Sequence, residues 1–88
     1  MIGCKDEKLM QALKIVRREY DKAVQKHPEF AITDFQSVSI IAEELGELAR
    51  ELNDACACTP GAHDRAITEA AHVAVTAIRT IQMLMGEI

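Results

Sequence analysis

The chain has 88 residues, a formal net charge of −4, 49% hydrophobic residues and only 3% aromatic ones. A length of this order predicts one domain, residues 1–88, with a core too small to be robust on its own. The negative charge disfavours a nucleic acid held through its phosphate backbone, and the scarcity of rings disfavours a platform for stacking bases, so nucleic acid is not expected as a partner.

The first predicted helix runs from about Asp6 to His27. Its apolar positions Leu9, Ala12, Leu13, Val16, Tyr20, Ala23 and Val24 recur three and four apart. Asp6 is placed to cap it, and Pro28 ends it, because the residue before a proline disfavours helical dihedrals. Residues 1–26 carry seven Lys/Arg against four acids, whereas residues 27–88 carry three against ten. Lys8, Arg18, Lys22 and Lys26 fall within an arc of about 80° by the helical period. Such an arc is ordinarily a solvated face, and beside an anion site it is a counter-charge.

After the connection "HPEFAITD", a capping box is predicted at Thr33-Asp34-Phe35-Gln36. The second helix follows to about Asp54–Cys58, with Val38, Ile41, Leu45, Leu48, Ala49 and Leu52 as its expected core face. Within it, "EELGELARELND" places Glu43, Glu44, Glu47, Glu51 and Asp54 around a single Arg50. Glu44, Glu47 and Glu51 form one stripe about 100° from the apolar centre at Leu45 and Leu52. A stripe of acids on an amphipathic helix is a solvated face or, if buried beside further ligands, a metal site.

Thr59-Pro60-Gly61 predicts a turn, and the third helix is expected from His63 or Asp64 to about Met85, with Gly86 as its stop. Ile67, Ala70, Val73, Ala74, Ala77, Ile78, Ile81, Leu84 and Met85 cover more than half of its circumference. A helix this apolar is buried on several sides, which predicts self-association. Glu69 and His72 share a stripe with Thr76, Thr80 and Met83 on this apolar helix. A buried carboxylate needs a partner, either a base from the first helix or a cation shared with Glu44 and Glu47. A histidine in this setting is a hydrogen-bonded core residue or a ligand.

The three cysteines are Cys4, Cys56 and Cys58. With no secretory signal they read as reduced thiols of a cytoplasmic protein. The C-x-C lacks the four ligands of a zinc site, with His63 alone nearby, and reads as part of a connection. The most apolar run, 66–85, is interrupted by Glu69, His72 and Arg79, so no membrane span is expected.

"AEELGELARELND", followed by "ITEAAHVAVTAIRTI", resembles the MazG-like all-α nucleotide pyrophosphohydrolases, which carry E-x-x-E on one helix and E-x-x-D on the next. Here Glu44-x-x-Glu47 is intact behind Glu43, the second half is Glu69-x-x-His72, and "HPEF" resembles the family's first connection. The resemblance spans roughly residues 38–82. It implies a four-helix-bundle-like fold assembled as a homo-oligomer, a dimer or tetramer. It also implies hydrolysis of a nucleoside triphosphate to the monophosphate and pyrophosphate, dependent on Mg²⁺ or Mn²⁺. Glu44, Glu47 and Glu69 are then metal ligands, and His72 occupies the fourth ligand position. Glu43 orients or deprotonates the attacking water, or supports a ligand. Lys22, Lys26 and Arg79 are the candidates to hold the phosphates. The alternative is a non-catalytic helical module used for oligomerisation or regulation, favoured by histidine standing where the family has aspartate.

Overall fold

A computed structural model describes residues 4–31 and 33–86, with the side chains of Cys4 and Lys5 outside that description. The thiol expected at Cys4 therefore lies outside the described residues; Cys56 and Cys58 are free and exposed. The chain forms three helices, α1 (Cys4–Lys26), α2 (Asp34–Cys56) and α3 (Ala62–Leu84), and no strand among the described residues. None of these helices is long and apolar enough to cross a membrane.

The ends of the helices follow from local chemistry. α1 begins earlier than expected, so Asp6 sits in its first turn beside Glu7 rather than at its cap. Both acids face the positive end of the helix dipole there. The capping box of α2 is complete: Gln36 N–H donates to Thr33 Oγ1 at 3.2 Å, and Thr33 N–H donates to Gln36 Oε1 at 3.3 Å. α3 starts one residue before its expected range. Gly61 precedes it with φ of +79°, a left-handed conformation that glycine adopts without steric cost. Gly86, also at φ +79°, follows its other end.

Cross-helix pairs define the arrangement. Ser37 meets Met83 (3.4 Å), Glu44 meets His72 (3.6 Å) and Glu51 meets Arg65 (2.6 Å), so α2 and α3 run antiparallel. Glu19 meets His72, while the carbonyls of Ala23 and His27 meet Arg79, so α1 runs parallel to α3. α3 packs against both other helices, and α1 and α2 do not pack on each other among the described residues. α3 is therefore the central element, yet its expected burial on several sides is not met within one chain: Ile67, Ala70, Ala77, Ile81, Leu84 and Met85 are exposed.

The rotation of α2 differs from expectation. Ser37, Ile40, Ile41, Glu44, Glu47, Leu48, Glu51, Asp54 and Ala55 are its buried or half-buried positions, a three–four repeat. Val38, Leu45 and Leu52, expected at the core, are 65%, 55% and 54% exposed, and Ala49 is exposed too. The acids face α3 because α3 offers them polar partners, Arg65 and His72. An apolar face would leave those groups unpaired.

The buried apolar residues are small, Ala62, Ala66, Ala71 and Val75, and the buried polar ones are Glu19, Ser37, Thr76 and Arg79. Arg79 is 4% exposed. Its Nη2 donates to the carbonyls of His27 (2.7 Å) and Pro28 (3.2 Å), its Nη1 to that of Ala23 (3.5 Å), and its guanidinium lies 5.2 Å from the centre of the Phe30 ring. A cation here gives a donor to the His27 and Pro28 carbonyls that follow α1 and meets the negative end of its dipole.

Arg79→Ala should cost about 3 kcal/mol, because it strips the carbonyls of His27 and Pro28 of their donor and leaves a cavity. Thr33→Ala, which removes only the exposed cap, should cost about 1 kcal/mol. Urea unfolding followed by circular dichroism measures both. A smaller loss for Arg79→Ala than for Thr33→Ala would show that the guanidinium does not tie α1 to α3.

Candidate metal and anion site

His72 lies where the three helices come together. Its Nε2 is 3.0 Å from Glu19 Oε1 on α1. Its Nδ1 is 3.3 Å from Glu69 Oε2 on α3 and 3.6 Å from Glu44 Oε2 on α2. Periodicity explains the convergence. Glu69 and His72 are three apart on one helical face, and antiparallel packing brings Glu44 opposite them.

Donor atoms of Glu44, Glu69 and His72 all lie within 4.8 Å of one another. Glu44 Oε2 is buried and accepts no hydrogen bond, since 3.6 Å to His72 is too long for one. Two carboxylates and an imidazole around a buried acceptor fit a divalent cation. The nitrogen in the set suits Mn²⁺ or Zn²⁺ better than Mg²⁺.

The electrostatics of the cluster are coupled. Burial pushes the Glu44 carboxyl above its usual range, and the charges of Glu47, Glu69 and Glu43 add to the rise while His72 opposes it. Burial alone lowers the affinity of His72 for its proton, but hydrogen bonds to Glu19 and Glu69 outweigh that and leave its pKa raised. Burial likewise raises Glu19, yet the bonds from His72 and Lys22 prevail and hold it below its ordinary value.

A groove opens between α1 and α2, floored by α3. Two adjoining cavities of about 360 and 380 Å³ share Ala23, His27, Glu44, Val75 and Thr76. Lys22 and Lys26 line the first; Lys22 Nζ also bonds Glu19 Oε2 at 3.2 Å. Glu43 and Arg79 line the second, Glu43 exposed and Arg79 committed to the carbonyls of α1. The structure thus gathers Glu44, Glu69 and His72 into one cluster. Glu47 stands half-buried close enough for its charge to act on Glu44. Lys22, Lys26, Glu43 and Arg79 are distributed along the groove. Sequence reasoning missed Glu19, which is only 8% exposed. The available signal was an acid at an apolar spacing, Ala12-Val16-Glu19-Ala23.

Stability without metal should depend on pH through this cluster. His72, whose folded pKa is raised, contributes stability that is fully present below about pH 6.5 and is lost as pH rises through the raised value. Glu19, whose pKa is lowered, contributes above its ordinary 4.5 and loses that contribution as pH falls through the depressed value. Glu44 opposes folding above its raised pKa, and that opposition fades as pH falls through it. The metal-free protein should therefore melt higher at pH 6 than at pH 8.5, and His72→Gln should flatten the difference. Identical melting profiles for parent and His72→Gln would show that the ring takes no part.

Comparisons with protein-family models, with curated proteins and with solved structures find no match for this chain.

Proposed function

We propose that this chain is a MazG-like, divalent-metal-dependent nucleoside triphosphate pyrophosphohydrolase that works as a homo-oligomer. The observation that carries the metal site is the buried, unbonded Oε2 of Glu44 beside Glu69 and His72. Glu44, Glu69 and His72 hold the ion, with Glu47 adding negative charge next to them. Such an ion supplies neutralisation of phosphate charge and activation of water. Lys26 and the exposed end of Lys22 hold the triphosphate along the groove. Arg79 adds positive charge from the groove wall, its donors remaining on α1. Glu43 accepts the proton of the attacking water. Its carboxylate is exposed and lines the groove.

A second reading, a non-catalytic helical module, is favoured by one specific observation. Both ring nitrogens of His72 already face carboxylates, so a protonated ring is itself the cation of the cluster. A metal must displace the Nδ1 proton before it binds.

Calorimetric titration with Mn²⁺ and Mg²⁺, paired with assay of pyrophosphate release from a panel of nucleoside triphosphates, separates the readings. Mn²⁺ should bind and support turnover, Mg²⁺ should do both more weakly, and His72→Asp should gain with Mg²⁺. Glu44→Gln should abolish binding and raise the metal-free melting temperature, since it removes a carboxylate that burial disfavours. Mn²⁺ binding without pyrophosphate release from any triphosphate would leave only the module.

The assembly has its own test. Val38, Leu45 and Leu52 on α2, with Ile81 and Leu84 on α3, are large apolar side chains more than half exposed. Burying such side chains is worth roughly 1.5–3 kcal/mol each, enough for a second copy to cover them. Light scattering should give a mass of at least two chains at micromolar concentration, and Leu45→Lys with Leu52→Lys should reduce it to one. A monomeric parent would remove the oligomer from the proposal.

A further inference from the structure

We propose that Glu19 is a positioning residue. It grips the His72 ring through Nε2, so that Nδ1 is the atom offered to the metal held by Glu44 and Glu69. The proposal rests on the metal-binding reading above and adds to it a residue from a third helix.

A ligating imidazole uses one nitrogen and keeps a proton on the other, and the hydrogen bond made by the protonated nitrogen decides which is which. Around His72 the two sides are unlike. The Nδ1 side faces Glu69 Oε2 and Glu44 Oε2, the two carboxylates of the metal cluster. The Nε2 side faces Glu19 Oε1 at the shorter distance of 3.0 Å. Glu19 is buried, and its second oxygen is held by Lys22 Nζ at 3.2 Å, with Arg18 Nε at 3.7 Å. Both of its oxygens are therefore engaged, and the carboxylate is fixed in place. It accepts the Nε2 proton, sets the plane of the ring and makes Nδ1 a stronger donor to the ion. Because Glu19 lies on α1 and Glu44 on α2, the grip also ties the seating of α1 to a site otherwise built by α2 and α3.

The test uses the full chain and two probes, Zn²⁺ for spectra because it is diamagnetic and Mn²⁺ for calorimetry. In the Zn²⁺-loaded, ¹⁵N-labelled parent, His72 should show a ligated Nδ1 and a protonated Nε2. Glu19→Leu should lose about 10- to 100-fold in Mn²⁺ affinity and no longer show a single tautomer. Glu19→Gln, which keeps an acceptor oxygen, should restore the tautomer and most of the affinity. A merely structural role would lower the melting temperature of both variants and leave tautomer and affinity unchanged. Ligation through Nε2 in the parent, a result independent of whether Glu19→Leu folds, overturns the proposal. So does parental Mn²⁺ affinity in Glu19→Leu, and in that case the metal reading stands. A parent that binds neither ion overturns both together.

Discussion

Three carboxylates, one from each helix, converge on the ring of His72, and the arrangement holds only if something positive sits among them. Glu19, Glu44 and Glu69 would otherwise repel one another where water screens them only in part. Two cations can meet the requirement. A proton on the ring does so within the chain, and the raised pKa of His72 is the consequence. A divalent ion does so from outside, and the bare oxygen of Glu44 is where the proton leaves the requirement unmet. On the proposed reading both would use the Nδ1 side of the ring, so they would compete.

Such a cluster carries weight in the fold because the apolar core is thin. Alanine and valine fill the buried apolar positions, and no large side chain is fully enclosed among the described residues. Polar contacts across α3 do the joining instead. Glu51 with Arg65 holds one end of α2, and Arg79 on the carbonyls of Ala23, His27 and Pro28 holds the end of α1. Tyr20 and Gln82 add a second tie between α1 and α3. Polar joints demand fixed geometry, since a partner withdrawn leaves a buried group unpaired.

What was legible in the sequence was what is local. The three helices, the Thr33–Gln36 capping box and the Gly86 stop depend on residues a few positions apart, and each is found where expected to within one or two residues. Helical spacing and an antiparallel hairpin let the pairs Glu44–Glu47 and Glu69–His72 face each other, but the cluster that forms holds Glu44, Glu69 and His72 without Glu47, because it depends on the rotation of α2 as well. The rotation of α2 was not legible. Its strongest apolar stripe, through Leu45 and Leu52, implies a core, but periodicity cannot say which neighbour an apolar face meets. The partners of Glu19 and Arg79 were illegible for a related reason. Each acts across more than fifty residues of chain, and each looks from its composition alone like a surface charge.

The groove adds a last constraint. Lys22 is the basic residue that both lines it and bonds the carboxylate behind His72. Its ammonium has three donors on a flexible stem, so an anion entering the groove and Glu19 draw on the same group. An anion that drew Lys22 away would leave the Glu19 charge less compensated, and the less compensated carboxylate would hold the Nε2 proton of His72 more tightly. If the proposed site binds both ions, they are linked through one short chain of contacts, Lys22 to Glu19 to His72 to Glu44. Lys26 lines the same cavity but stands outside that chain, which makes it the residue able to attract an anion without disturbing the cluster.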